Sequence, residues 1–141
     1  MKPGISVIAA VGKNKLAICE GPNLLWTIPE DHKRLRSLTM GHTLIMGRKT
    51  YDSIGKPLKG RFHVILTRDK NYIPAIPSGY ENEIVKVAYS TDEALQIAEN
   101  IESKKGSDPK EIFIFGGADI YNQTISLANK LYLTIVDSDE D

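Results

Sequence analysis

The sequence holds few of the residues that build disulfide or metal frameworks. Among its 141 residues there is one cysteine, Cys19, and there are three histidines. A single cysteine excludes an intramolecular disulfide and a cysteine-rich zinc site. The histidines, His32, His42 and His63, do not have the spacing of metal ligands. We therefore expect no bound metal, and the lone cysteine fits a reducing compartment.

Neither a charge excess nor a long apolar run is present. The 18 basic residues balance 18 acidic ones, which disfavours general binding to nucleic acids or anionic membranes, because such binding rests on a basic excess. The apolar run at residues 5–11 is too short to span a bilayer, and a turn-like Gly12-Lys13-Asn14 closes it. We expect a cytoplasmic protein that binds neither nucleic acid nor a membrane.

Length and composition are those of one globular domain over residues 1–141. A chain with 41% hydrophobic and 26% charged residues lies within the usual range of soluble domains. After its last predicted strand, the sequence ends in the acidic segment 137–141, which we expect to be frayed.

Short apolar runs alternate with helical patterns along the chain. Runs of β-branched and aliphatic residues predict strands at 5–11, 43–46, 63–66, 84–88, 112–115 and 131–136. Helices are predicted at 29–40, from Lys49, at 91–103 and at 118–127, and loops at 71–82 and 104–109. Ser90 and Glu93 form a capping box before the third helix. The alternation predicts a layered α/β domain with a largely parallel sheet.

Asp31 is the first candidate for chemistry. On the helix predicted from Pro29, it shares a face with Leu35 and Leu38, at positions i, i+4 and i+7. A carboxylate aimed at an apolar wall finds donors there or shifts its proton affinity, and both are typical of a working acid. The alternative is that acids favour the first turn of a helix because of its dipole, as the neighbouring Glu30 does. Periodicity alone leaves both interpretations open.

Two strand-to-helix turns are candidate anion sites. One is Gly47 with the Arg-Lys-Thr sequence that follows it at residues 48–50, and the other is Gly116-Gly117. Unpaired amides at a helix start attract anions, and glycine lets a phosphate approach closely. Each glycine also has the plainer interpretation of an ordinary turn. Together the two turns favour a dinucleotide, although neither is the G-x-G-x-x-G fingerprint.

Arg61 and Arg68 flank the third predicted strand. Arginine at a strand end is mostly surface charge, but a guanidinium at a pocket mouth also forms a natural fork for a substrate carboxylate. No G-x-S-x-G elbow is present, and Cys19 has no identifiable base nearby, so no nucleophile is indicated. One placed acid without a nucleophile suits proton transfer coupled to a hydride that a cofactor supplies.

Seven ordered segments of the chain resemble those of dihydrofolate reductases. They are Ile8-Ala9-Ala10, Trp26-Thr27-Ile28-Pro29-Glu30-Asp31, Met46-Gly47-Arg48-Lys49-Thr50-Tyr51, Ser53-Ile54-Gly55, Pro57-Leu58-Lys59-Gly60-Arg61, Phe115-Gly116-Gly117-Ala118-Asp119-Ile120-Tyr121 and Leu131-Tyr132-Leu133-Thr134. They stand in family order and at family spacing, from Ile5 to about Asp137. The resemblance implies a three-layer fold with a mixed, mainly parallel sheet flanked by helices. It also implies NADPH-dependent reduction of 7,8-dihydrofolate to 5,6,7,8-tetrahydrofolate, which supplies one-carbon metabolism.

The resemblance also implies the site residues. Asp31 would hydrogen-bond the pterin and assist protonation of N5 while hydride reaches C6. Thr134 would brace the carboxylate of Asp31. Trp26 is implied as the third catalytic residue. The substrate would contact a pocket wall and, through its α-carboxylate, one arginine: Ile8, Ala9, Leu35, Ile54, Phe115, Tyr121 and Arg61. NADPH would contact Ala10, Ala17, Gly47, Arg48, Lys49, Thr50, Arg68, Gly116, Gly117, Ala118 and Ile120. Antifolate inhibitors are implied as further ligands.

The sequence departs from the family pattern in three places. Ala17-Ile18 and Leu24-Leu25 stand where the family's mobile loop has Ile-Gly and Leu-Pro, so we expect altered loop closure. Asp119 stands where a basic or polar residue is common. The family's C-terminal hairpin is lacking, which would expose a strand edge. The chain is therefore a fragment, or is completed by another chain, or is a trimmed fold with reduced activity. We expect a monomer, although the open edge would favour self-association.

Two alternatives to a full dihydrofolate reductase stay open. A weakly active or non-catalytic fragment would bind NADPH or folate and need a complementary segment. A reductase of another pterin or of a pyrimidine, such as one in riboflavin synthesis, would share the fold. The pairing of Asp31 with Arg61 favours folate.

Overall fold

A parallel sheet lies at the centre of the chain. The computed structural model describes residues 4–12, 37–104, 110–116 and 118–136, with the backbone alone for 9–12, 116, 118, 119, 125 and 131–136. This part of the chain contains six strands, β1 Gly4–Gly12, β2 Thr43–Gly47, β3 Phe62–Leu66, β4 Ile84–Ala88, β5 Glu111–Gly116 and β6 Lys130–Val136. Its helices are α1 Arg48–Ile54, α2 Thr91–Lys104 and α3 Ala118–Thr124, and a 3-10 turn Ile125–Leu127 follows α3. Every predicted strand is present, with ends that differ from the prediction by at most one residue.

The strand order shows where the chain reverses direction across the sheet. The order is β4-β3-β2-β5-β1-β6, and every described pairing is parallel. After β1, the chain moves outward through β2, β3 and β4, and then returns to insert β5 between β1 and β2. The predicted α/β architecture is confirmed. Within the described residues the sheet is parallel throughout, rather than mixed.

Two apolar clusters cover the two faces of the sheet. Because alternate residues of a strand point to opposite faces, Ile45 joins one cluster while Leu44 and Met46 join the other. The α1 face comprises Ile8, Leu44, Met46, Tyr51, Ile65, Phe113 and Phe115, with Leu38, Ile54, Leu58, Tyr72 and Val85 packed against them. The α2 face comprises Val7, Ile45, Val64, Ala88, Ala94, Ala98, Ile112, Ile114, Ile120 and Tyr121. Layers on both faces explain why the central strands are apolar throughout.

The helices begin and end close to their predicted bounds. Half of the predicted capping box is confirmed, because the Glu93 N–H donates to Ser90 Oγ at 3.1 Å. The Glu93 carboxylate instead accepts the N–H of Tyr89, one residue before the cap, at 2.7 Å. The helix predicted at 118–127 is divided, because the Thr124 hydroxyl bonds back to the Ile120 carbonyl and the last turn tightens into a 3-10 turn. Of the helix predicted at 29–40, residues 29–36 lie outside the described residues, and residues 37–39 are helical. The described helices include none that is long and apolar enough to cross a membrane.

Candidate active site at the carboxyl edge of the sheet

The carboxyl ends of β2 and β5 lie side by side in the middle of the sheet. The two strands are neighbours, and Met46 of β2 pairs with Gly116 of β5. α1 begins directly after β2 and packs on the α1 face, whereas Ile120 and Tyr121 of α3 pack on the α2 face. Because these helices leave adjacent strand ends toward opposite faces, this edge is a topological switch point, and we infer a crevice there because open α/β sheets bind ligands at such points. Gly47 and Gly116, one from each predicted turn, meet at this edge.

β1 and β5 separate beside this crevice. Their described pairing ends at Val7 and Ile114. The next carbonyl oxygens, those of Ile8 and Phe115, lie 2.6 and 2.9 Å from the Tyr121 hydroxyl. That hydroxyl has one proton for two acceptors, and burial raises the pKa of Tyr121, so the proton stays in place at neutral pH. Tyr121 thus links the two strand ends from the opposite face.

Three of the residues predicted for the pocket wall share the α1 face. Ile8 and Phe115 are buried in it, and Ile54 at the end of α1 packs against them. The backbone of Ala9 lies in β1, where Ala9 pairs with Leu133 of β6. The next position pairs Ala10 with Thr134, so these two predicted site residues are also direct neighbours.

Basic residues gather at the same carboxyl edge. Gly47 pairs with Leu66 across β2 and β3, so Arg48 and Arg68 follow neighbouring strand ends. Lys49 and Arg68 are exposed, and Arg48 is half-buried. Gly47 caps α1 in an extended conformation without a side-chain cap, which leaves the first backbone amides of the helix directed at this edge. Thr50 is buried under α1 rather than exposed at its start.

A tyrosine that the sequence did not single out restrains one of these cations. The Arg48 guanidinium lies 5.9 Å from the centre of the Tyr72 ring, which is within cation–π range. The Tyr72 hydroxyl donates to Asp52 Oδ1 at 2.7 Å. Burial, followed by the hydrogen bond to the Asp52 carboxylate, raises the pKa of Tyr72. A tyrosine within a predicted loop carries no periodic signal, so only the fold reveals the contact.

Arg61 lies at the other end of the strands. It directly precedes β3, about 16 Å from the carboxyl edge for a strand of five residues. Its side chain is 7% exposed. Nε donates to Thr39 Oγ1 at 3.1 Å, and Nη1 donates to the Lys59 carbonyl at 2.6 Å. An elongated ligand lying along the α1 face would be needed to contact both Arg61 and the crevice.

Five predicted site residues lie outside the described part of the chain: Ala17, Trp26, Asp31, Leu35 and Gly117. Their roles stay predictions. Ala118 begins α3, and Ile120 is buried beneath it. The residues that the structure describes include no group of three or more histidine, cysteine or acidic side chains that would hold a metal ion.

The fold defines an α/β domain with a topological switch point between β2 and β5. The chain belongs to the dihydrofolate reductase family, because the sequence profile of dihydrofolate reductase matches residues 4–141. It is 34% identical over 134 residues to dihydrofolate reductase type 3 of Salmonella typhimurium, covering 95% of this chain and 72% of that protein. It is 35% identical over 114 residues to dihydrofolate reductase of Staphylococcus aureus strain Mu50, covering 81% of this chain and 60% of that protein.

A solved structure supports the same fold. Dihydrofolate reductase from Enterococcus faecalis, complexed with NADP(H) and RAB-propyl, superimposes with a TM-score of 0.72 at 24% identity. The superposition covers 98% of this chain and 73% of the E. faecalis chain. At this identity the likeness establishes the fold alone. The present chain spans about 60% of the length of the S. aureus relative.

Proposed function

We propose that the protein catalyses the NADPH-dependent reduction of 7,8-dihydrofolate to 5,6,7,8-tetrahydrofolate. The single observation that carries this proposal is the switch point between β2 and β5, in a chain whose residues 4–141 match the family. Its relatives in S. typhimurium and S. aureus are named dihydrofolate reductases. The cytoplasmic location and the monomeric state remain predictions from the sequence.

The residues at the carboxyl edge fit a phosphorylated dinucleotide. Arg48, Lys49 and Arg68 follow neighbouring strand ends, and α1 starts there without a side-chain cap. Cations and free helix amides are the groups that bind phosphates. We propose that Arg48 and Arg68 hold the 2′-phosphate that distinguishes NADPH from NADH. When bound, NADPH supplies the hydride that reduces C6 of the pterin.

The α1 face would bind the rest of the substrate. Ile8, Ile54 and Phe115 offer an apolar wall on one side of the sheet, and flat aromatic rings bury well against such a wall. Arg61 would bind the α-carboxylate at the far end. Its guanidinium donates to Thr39 Oγ1 and to the Lys59 carbonyl, and a substrate carboxylate would form a charge-assisted bond to it.

Asp31 carries the proposed proton chemistry. Its carboxylate would accept hydrogen bonds from the pterin ring N–H and amino group, and would favour a proton on N5. Thr134 would brace that carboxylate, and the pairing of Thr134 with Ala10 sets its backbone beside β1. Ala10 and Ala17 would contact the carboxamide of the nicotinamide through their backbones. Antifolates that carry a similar ring are expected to compete for the same pocket.

The test is the loss of NADPH absorbance with dihydrofolate, using folded protein at micromolar concentration. We expect turnover in the wild type and at least a ~100-fold loss in Asp31→Asn near neutral pH, because a general acid contributes about 10²–10⁴ in rate. Affinity for NADPH should stay nearly unchanged. Glu30→Gln, which alters the adjacent acid, is the matched control and should keep its activity within about twofold.

Three other outcomes would refute the proposal or indicate a different function. Absence of turnover in a folded wild-type sample would refute it. NADPH binding without turnover, with turnover restored by an added C-terminal segment, would indicate the weakly active binding fragment instead. Turnover of another pterin or of a pyrimidine in preference to dihydrofolate would indicate a different reductase on the same fold.

A further inference from the structure

A neutral histidine is buried at the amino end of β3. His63 is 0% exposed, and its Nε2 accepts the backbone N–H of Leu58 at 2.8 Å. Its Nδ1 lies 3.1 Å from the Ile84 carbonyl oxygen. Because the amide only donates and the carbonyl only accepts, the ring carries its single proton on Nδ1. Burial lowers the pKa of His63, which favours the same neutral form.

The residue that His63 binds belongs to the turn that carries Arg61. We call residues 57–61 the arginine turn. The Leu58 carbonyl accepts the Arg61 N–H at 3.3 Å and closes this turn. Leu58 therefore bonds to His63 through its N–H and to Arg61 through its carbonyl.

Two further contacts fix the same turn. The Gly60 N–H donates to Glu83 Oε1 at 3.0 Å, and the Gly60 carbonyl accepts the Gly41 N–H at 2.7 Å. Gly60 has a φ of +82°, which favours glycine, and a Cβ there would lie 2.5 Å from Met40 Sδ. Three residues thus hydrogen-bond the arginine turn from outside it: His63, Glu83 and Gly41. Of these, His63 is the one that lies in a strand of the sheet.

The guanidinium is anchored to the turn as well as to its neighbours. Arg61 Nη1 donates to the Lys59 carbonyl, which lies inside the arginine turn, and Nε donates to Thr39. A shift of the turn would therefore move both the backbone of Arg61 and one acceptor of its guanidinium. Precise placement matters because bidentate binding of a carboxylate depends on orientation.

We propose that His63 is a positioning residue for the substrate carboxylate. It holds Leu58, Leu58 holds the arginine turn, and the turn orients Arg61, while His63 itself does not touch the substrate. This inference rests on the proposed function, in which Arg61 binds the α-carboxylate of dihydrofolate. A histidine that served only the core would affect stability and leave substrate preference unchanged.

The test compares two substrates that differ only in the carboxylate-bearing tail. KM and kcat are measured for dihydrofolate and for a 7,8-dihydropterin that lacks the aminobenzoylglutamate. His63→Leu removes both ring nitrogens and should raise KM for dihydrofolate about five- to tenfold, the scale of one lost hydrogen bond left unsatisfied. The kcat, and both constants for the tailless dihydropterin, should stay within about twofold.

Matched variants separate positioning from general stability. Val64→Ala alters the next residue of β3, which is equally buried but lies on the α2 face; it should lower Tm without changing the ratio of the two KM values. His63→Asn and His63→Gln each offer an amide acceptor and donor, and at least one should restore KM. If His63→Leu does not fold, His63→Thr replaces it, since its hydroxyl is too short to reach Leu58.

The outcomes distinguish this inference from the proposed function. Equal KM changes for both substrates, no change for either, or an equal effect of Val64→Ala would overturn the role of His63. Arg61→Leu decides the role of Arg61 separately. If Arg61→Leu raises KM for dihydrofolate alone and His63→Leu does not, the proposed function stands and only the inference fails. If Arg61→Leu affects both substrates alike, Arg61 does not bind the carboxylate and both assignments are wrong.

Discussion

Polar groups differ in burial and hydrogen bonding between the two edges of the parallel sheet. At the amino edge, Glu102 is 0% exposed and accepts hydrogen bonds from Thr43 Oγ1 at 2.6 Å and from the Glu111 N–H at 3.0 Å. At the carboxyl edge, α1 begins at Gly47 without a side-chain cap, and Lys49 is exposed. Polar groups at the first edge bond to one another within the protein, whereas the second edge has an exposed lysine and a helix start without a side-chain cap. We infer that the amino edge contributes stability and the carboxyl edge contributes binding.

The amino edge is a connected set of polar contacts rather than one isolated acid. The Ser6 hydroxyl donates to the Glu111 carboxylate, and His42 Nδ1 lies 3.6 Å from Glu102 Oε1. Buried polar groups that bond to one another avoid the cost of an unpaired group in a low dielectric. Arg61 at this edge is also hydrogen-bonded within the protein, to Thr39 and to the Lys59 carbonyl, and it differs from the others in being assigned a ligand as well.

The largest effect should follow from removing the carboxylate at the amino edge. Glu102→Leu would leave the Thr43 hydroxyl and the Glu111 N–H without this acceptor, so we expect a loss of about 3 kcal/mol in the free energy of unfolding. Urea denaturation measures the loss. Turnover per folded molecule should stay within about twofold, because the substitution is remote from the crevice.

Glu99→Leu is the control for this experiment, since it makes the same change at a half-buried position of α2. It should change the free energy of unfolding by no more than about 0.5 kcal/mol. A Glu102→Leu protein as stable as the wild type would mean that the carboxylate is not needed at this edge. A selective loss of turnover would mean that the two edges are coupled.

The burial of Glu102 has a signal in the sequence. Ala94 and Ala98 are buried on one side of α2, and Glu102 continues their spacing of four residues. A helical period therefore predicts an inward-facing acid there. The partners of that acid come from β2 and β5, which helical periodicity does not indicate. Local pattern thus predicts that a group is buried, but not what satisfies it.

The next effect should appear at the carboxyl edge. Arg68→Gln should raise KM for NADPH about five- to tenfold and leave KM for NADH nearly unchanged, because only NADPH has the 2′-phosphate. The free energy of unfolding should change by less than about 0.5 kcal/mol, since Arg68 is exposed. Steady-state kinetics with each cofactor measures the selectivity.

Lys70→Gln, two residues further along and also exposed, is the charge-matched control and should not alter the selectivity. If Arg68→Gln weakens NADPH and NADH equally, its charge acts on phosphates that the two cofactors share. If it destabilises the protein instead, the carboxyl edge is as structural as the amino edge, and the contrast between the edges disappears.

The elements of the fold were predictable because their signals are local, whereas the site was only partly so. Apolar runs predicted each strand, and Ser90 with Glu93 predicted the start of α2. The insertion of β5 between β1 and β2 depends on which strands pair, and no single segment encodes it. For the same reason the sequence indicated Arg61 but not its partner Thr39, which is 22 residues away.

The smallest effect concerns the pH dependence of stability and returns to the amino end of β3. The pKa of His63 lies below its ordinary value of 6.5 in the folded protein, mainly because burial disfavours the charged ring. The hydrogen bond to the Ile84 carbonyl and the charge of Glu83 raise this pKa, and the charge of Arg61 lowers it, but burial has the largest effect. Below pH 6.5 the unfolded chain therefore binds more protons than the folded one at this residue. The stability that the neutral ring contributes is complete above that pH and declines as the pH falls below it, by at most about 1.4 kcal/mol per pH unit for one proton. Urea unfolding between about pH 8 and about pH 5 should show the wild type losing stability relative to His63→Gln as acid is added. Parallel curves would mean that His63 takes up its proton as readily in the folded protein as in the unfolded one.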